Sequence, residues 1–205
     1  NIKVNDNNSN EDLNYLNSSL SFLIFIPEME RLFQSSPATR RNFIDRLIFS
    51  HNKDYNKIIN KYKKNILERA KILENTVFDK NWIKFIENEI SVLGQKIYEL
   101  RYTQLTILNK QIKTLNKLNN YQFDIDLKIN DSFYTPKLNL DIYLHQLFNS
   151  RDLDKKLGGA KLGPHRSDIS AKINSKFDAS QLSTGQQKTV ILMIILAQCN
   201  YLVNE

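Results

Sequence analysis

A mixed α+β fold is predicted by three observations: an alternating strand pattern, a long helical stretch with a three- and four-residue apolar rhythm, and a polar mouth opening an apolar helix. The strand is "FDIDLKIN", in which Phe123, Ile125, Leu127 and Ile129 fall on one side and Asp124, Asp126 and Lys128 on the other. The helical stretch runs from about Pro37 to Leu118. The mouth is "SQLSTGQQKTVILMIILAQ", Ser180 to Gln198, where small and polar residues run into an apolar segment that reads as hydrophobic all round and buried.

Taken in order, "IKVND" and "SFLIFIP" read as strands, the second buried and stopped by Pro27. A short amphipathic piece follows, with Met29, Leu32 and Phe33 on one side. Pro37, Ala38 and Thr39 open a helix in which Phe43 and Leu47, then Ile44 and Ile48, stack at four-residue spacing. Ile58, Tyr62, Ile66, Ala70 and Leu73 keep one apolar face through a basic helix. "TVFDKN" interrupts the rhythm, and Asp79 is the expected N-cap of the next helix. There Trp82, Ile86, Ile90, Leu93, Ile97, Leu100, Leu108, Ile112 and Leu115 form a stripe far longer than an average globular helix. With its predecessor it predicts an antiparallel arm. After the alternating strand come an amphipathic helix over about 141–156, the glycine pair Gly158-Gly159, a strand "DISAKI" and the apolar helix. The division expected is 1–33, 34–118 and 119–205: one mixed lobe interrupted by a helical one.

The longest apolar run, Val190 to Ala197, is too short to cross a bilayer, so no membrane partner is expected. The first residue is Asn1 and no charged leader precedes an apolar core, so the expectation is a chain without a secretory signal, cut from a longer one. Cys199 is the single cysteine and no Cys/His cluster has metal-ligand spacing, which points to a reducing, cytoplasmic setting and no metal site. The net charge is +7, and between Ala38 and Lys80 about 11 Lys/Arg face 5 Asp/Glu, so nearly the whole excess lies there. Two readings stand: a nucleic-acid footprint, with Arg40, Arg41, Lys61, Lys63 and Lys64 on phosphate, or a solvated helix face.

The mouth also has two readings. Ser183 or Thr184 caps a core helix and Gly185 relieves the turn. Alternatively the free N–H groups of the first turn, with the helix dipole behind them, form an anion site that Gly185 leaves open to a phosphate. Ser183 would add a hydroxyl, with Gln186 and Gln187 alongside. In "LGGAKLGPHRSDI", His165, Arg166 and Asp168 are either surface polars on a turn or groups facing phosphate. Arg40 and Arg41 can likewise pair with Asp45 along their helix or contact DNA phosphate.

"LSTGQQK" resembles the LSGGQ-type signature of ABC ATPases. With "F-x-P-E-M-x-R-L-F", "P-x-x-R-R-N-F-I-D-R-L" and "G-P-H-R-S-D", it occurs in the order and rough spacing of the RecF family, bacterial replication and repair proteins of the ABC/SMC class. The likeness covers essentially the whole chain, including Trp82 at the start of the long helix and Gly94 within it. It implies an ABC-type ATPase lobe interrupted by a mostly helical lobe. It also implies an ATP-dependent homodimer with Mg²⁺, DNA as ligand (single-stranded or gapped), and RecO and RecR as partners in loading RecA, in recombinational repair and the SOS response. Ser183, Thr184, Gly185 and Gln186 would then touch nucleotide held by a partner protomer, with Lys188 as the basic residue after the signature.

Four features depart from the family pattern. No G-x-x-x-x-G-K-[ST] loop occurs in these residues, nor an apolar strand ending in paired carboxylates after the signature. Ser167 stands where an Asp is common, and Thr184 where other ABC proteins have Gly. These residues alone are therefore expected not to hydrolyse ATP.

Overall fold

The computed structural model describes residues 23–119, 123–135 and 138–204. "IKVND" lies outside them. Leu23 to Ile26 carries no strand pairing among the described residues; Leu23 and Phe25 pack on the core while Ile24 and Ile26 face out. The expected buried strand is thus corrected to a half-covered lead-in. A kinked 3-10 segment, Pro27–Gln34, follows and buries Met29, Leu32 and Phe33.

Helix α1 (Pro37–His51) starts on Ser36, whose hydroxyl accepts from Thr39 N, and buries Phe43, Ile44, Leu47 and Ile48 as its spacing predicts. Helix α2 (Tyr55–Glu74) and helix α3 (Lys80–Asn119) pack side by side, with Asp79 accepting from the N–H groups of Asn81 and Trp82 at 2.7 and 3.1 Å. The buried face of α2 is Tyr55, Ile59, Tyr62, Asn65, Arg69 and Leu73, rotated about one residue from the expected one, so Ile58, Ile66 and Ala70 are only half-buried. Trp82 is 45% exposed and stacks on Phe85 rather than entering the stripe.

Helix α3 is the spine against which the other elements lie. Strand β1 (Ile125–Asn130) pairs antiparallel with β2 (Asp168–Ile173), matching Ile125 with Ile173, Leu127 with Ala171 and Ile129 with Ile169. The inward positions of the alternation are those the pattern predicts. Asn109 of α3 closes the outer edge of β1, accepting from Leu127 N at 2.9 Å and donating to Leu127 O at 3.0 Å. A hairpin at Asn174 and Ser175, both at positive φ, adds the two-residue strand β3 (Phe177–Asp178). The single helix expected over 141–156 is two, α4 (Leu140–Asn149) and α5 (Arg151–Lys156), divided at Ser150.

Helix α6 (Thr184–Val203) packs on α3 and on the 3-10 segment. It is not buried all round. Val190, Ile191, Ile194 and Ala197 face the core, while Leu192, Leu196 and Val203 form an outward apolar line. No helix among the described residues is long and apolar enough to cross a membrane.

Candidate functional site

The mouth of α6 is built by two caps in succession. Asp178 ends β3 and accepts from Ser180 N, forming a capping box with Gln181 over the 3-10 turn Ala179–Gln181. Leu182 then runs extended into Ser183, which caps α6. Gln186 N donates to Ser183 Oγ at 3.4 Å and Ser183 N donates to Gln186 Oε1 at 3.0 Å, a reciprocal box that holds the first turn. Gln187 N is taken by Ser183 O at 2.9 Å. The N–H groups of Thr184 and Gly185 have no partner among the described residues. Apart from its chain neighbours and the backbone of its own turn, no described atom lies within 4 Å of where a Gly185 Cβ would stand, so the approach is open.

Capping and an open first turn therefore coexist here. Ser183, Thr184, Gly185 and Gln186 are all exposed. Lys188 lies one turn on and pairs with Glu30 at 2.6 Å, tying α6 to the 3-10 segment. Gln187 does not join the mouth: it is buried, donating to Leu182 O at 2.9 Å. The free N–H pair fits phosphate oxygens. No group of three or more His, Cys, Asp or Glu side chains among the described residues is placed to hold Mg²⁺.

The second cluster surrounds the turn before β2. Gly163 adopts φ +120°, and an added Cβ would strike the hydroxyls of Tyr143 and Tyr62. This close approach turns His165 inward. Its Nε2 lies 3.0 Å from Ala160 O, which can only accept, so Nε2 carries the proton and Nδ1 accepts from Tyr62 Oη at 2.8 Å. Burial, then the nearby Arg166, Arg41 and Arg101, hold the His165 pKa below its ordinary value despite the Ala160 bond. Arg166 is exposed.

Asp168 receives a two-pronged contact from Arg40, Nε and Nη2 each at 2.7 Å, while Arg40 Nη1 also donates to Phe33 O and Ser35 O. The Asp168 hydrogen bonds raise the Arg40 pKa. Burial alone would raise that of Asp168, but Arg40 and the Ile169 N–H outweigh it and hold the carboxyl below its usual range. Arg41 Nη1 donates to Ser167 O. Asp45 pairs with neither Arg40 nor Arg41: Arg101 grips it through Nε at 2.8 Å and Nη2 at 2.9 Å, and Tyr55 donates to it at 2.7 Å. Arg101 Nη1 reaches Pro164 O and Ser167 Oγ. Lys61 pairs with Glu89, whereas Lys63 and Lys64 are exposed and have no ion-pair partner among the described residues.

Arg101, Tyr62 and Tyr143, which hold the turn in place, were not singled out from the sequence for that role. The available signal was a charged residue interrupting an apolar stripe, as Arg101 does between Ile97 and Leu105.

His165 gives a pH dependence. The folded chain binds its proton less readily than the unfolded chain, so stability falls as pH drops below about 6.5, the ordinary histidine value. Urea unfolding between pH 7 and pH 5 should show this loss, and His165→Gln should shallow it; equal slopes would remove His165 as the cause.

No protein-family profile matches the chain. The DNA replication and repair protein RecF of Rickettsia felis is 31% identical over 193 residues, 93% of this chain and 53% of that protein. RecF of Rickettsia africae is 31% identical over the same length, covering 54% of the relative. Two solved structures of the recombination mediator protein RecF in the RecFOR pathway share the fold. The RecF-ATP structure matches at TM-score 0.76 over 88% of this chain and 50% of that one, and the RecF-ATPrS structure at 0.80 over 98% and 56%, each at 23% identity. The chain spans about half the length of the curated relatives it matches. The likeness carried by the four ordered motifs extends across nearly all of these residues, and over them the chain is similar to about half of a RecF protein.

Proposed function

We propose that the chain carries the signature face of an ATP-dependent, DNA-binding protein of replication and recombinational repair, acting in the cytoplasm. The observation that carries this reading is the mouth of α6, where the backbone N–H groups of Thr184 and Gly185 have no partner among the described residues and the approach to Gly185 is open. Nucleotide phosphates held by a second protomer would meet Thr184 and Gly185 there. Ser183 would assist by turning its hydroxyl out of the capping box, with Gln186 holding the turn and Lys188 keeping it against the 3-10 segment. ATP bound in this way supplies the negative charge that draws two protomers together.

In this reading residues 1–33 and 119–205 belong to one ATPase lobe and 34–118 to a helical lobe. DNA, single-stranded or gapped, is the ligand of the basic surface, and RecO and RecR are the partners in loading RecA during repair and the SOS response. Among the basic residues, exposed Lys63 and Lys64 are better placed for phosphate than Lys61 and Arg40, which are committed to Glu89 and Asp168. An SMC- or RecN-like protein fits less well, because the helical insertion is only about eighty residues long.

Gly185→Trp in the full-length gene product tests the reading, since the indole would fill the open approach without touching the core. ATP-dependent dimerisation, followed by sedimentation, should be lost while thermal stability is kept. Dimerisation unchanged by the indole would place the nucleotide elsewhere.

A further inference from the structure

A cleft of about 240 Å³ opens between α1, α2, α3 and the Pro164–His165 turn. Arg41 and Asn42 enter it from α1, Tyr62 and Lys63 from α2, and Arg101 from α3, with His165 at its end. Asp45 also lines it, but its charge is consumed: Arg101 and Tyr55 occupy both of its oxygens. Arg101 is itself spent on Asp45, Pro164 O and Ser167 Oγ. His165 is neutral, with both ring nitrogens engaged. Among the described residues the cationic groups left over are Arg41, half-buried and donating to Ser167 O, and Lys63, with no ion-pair partner. The Asn42 amide has no hydrogen-bond partner among the described residues.

We propose that this cleft is an anion site for a single phosphate group, with Arg41 and Lys63 as its cationic ligands and Asn42 as a neutral donor. A flat basic face would attract phosphate by charge alone, but here a guanidinium is half withdrawn from water and has no carboxylate ion-pair partner among the described residues. Burial, and then Arg101, depress the Arg41 pKa, with Arg166 adding to the effect, and Asp168 and Asp45 do not make up the difference. A bound phosphate would supply the missing countercharge. The rigid surroundings favour a fixed geometry, because Arg101 pins both Asp45 and the turn. The site is separate from the mouth of α6 and does not depend on nucleotide-driven dimerisation. The phosphate is a terminal phosphate of nucleic acid, a backbone phosphodiester or a free nucleotide, and the chemistry of recognition is common to all three.

The test measures binding of the full-length gene product to three probes: a 5′-phosphorylated single-stranded oligonucleotide, the same oligonucleotide without the phosphate, and ADP. Arg41→Gln and Lys63→Gln are compared with Lys113→Gln, an exposed lysine at the far end of α3. Lys63→Gln sits on an exposed side chain and guards against loss of folding in the Arg41 variant. Both cleft variants should weaken binding of the phosphate-bearing probe by about ten- to a hundredfold, with the control little changed. A loss confined to the 5′-phosphorylated probe identifies a terminal phosphate. An equal loss for both oligonucleotides, with the salt slope reduced by about one, identifies the backbone. A loss confined to ADP, present in both cleft variants and absent from Lys113→Gln, identifies a nucleotide; ADP binding that neither cleft variant weakens belongs to the ATP site and does not support the cleft. Cleft and control variants that behave alike on all three probes, or native protein that binds none, would overturn the proposal.

Discussion

Arg69→Ala is expected to destabilise the fold by about 3–5 kcal/mol, a large part of the stability of a domain of this size. Arg69 is 1% exposed and lies in a closed set of charges. Its Nε meets Glu87 at 2.9 Å, its Nη1 meets Asp154 at 2.8 Å and its Nη2 donates to Leu147 O at 2.7 Å. Arg151 holds the other side of Glu87, and Ser150 Oγ donates to Asp154 at 2.6 Å. Two arginines balance two carboxylates, joining α2, α3 and the α4–α5 corner. Truncation leaves Asp154 buried with only Ser150 and the Lys161 N–H for company. The penalty comes from the charge left behind, so Arg69→Ala with Asp154→Asn should lose less than Arg69→Ala alone. Equilibrium urea unfolding measures both; a single-variant loss under about 1 kcal/mol would mean that water reaches the set.

Gly163→Ala should cost about 3 kcal/mol, from two separable sources. At φ +120° any side chain is strained, and the new methyl would also collide with the Tyr143 and Tyr62 hydroxyls. Tyr143→Phe removes one of those hydroxyls and should recover part of the collision but none of the backbone strain. The same tyrosine guards Gly94, where an added Cβ would stand 2.6 Å from Tyr143 Cε1. Thermal unfolding of the single and double variants separates the two sources. Additive losses would show that Tyr143 yields without resistance.

Both predictions concern contacts that periodicity does not reveal. The alternation of β1, the caps at Asp79 and Ser183 and the buried residues of α1 are local, and local spacing made them legible. Arg40 and Asp168 are 128 positions apart, and Arg69 and Asp154 are 85 apart. Nothing in a window of a dozen residues announces such partners. Trp82 fits the apolar rhythm by spacing yet faces out, because the covered face at the start of α3 is carried by Ile83, Ile86 and Glu87, all buried, and Trp82 lies off it with Phe85. Ser150 stands at the break in the expected single helix, where its hydroxyl lies within hydrogen-bond reach of Leu147 O and Asp154, partners that its spacing from the apolar residues does not announce. Of the candidate site, the mouth of α6 was legible because cap, glycine and helix are consecutive. The inward turn of His165 was not, because it depends on Tyr62, Tyr143 and the left-handed Gly163 together.

The most direct test of an ATP-gated, DNA-binding protein is the affinity of the full-length gene product for gapped DNA, titrated against salt with and without ATP. A protein whose nucleotide closes a dimer onto DNA should bind more tightly when ATP is present, and Gly185→Trp should abolish the difference while leaving the nucleotide-free affinity intact. Salt-sensitive binding that is identical with and without ATP would contradict the account and leave a helical DNA-binding module in its place.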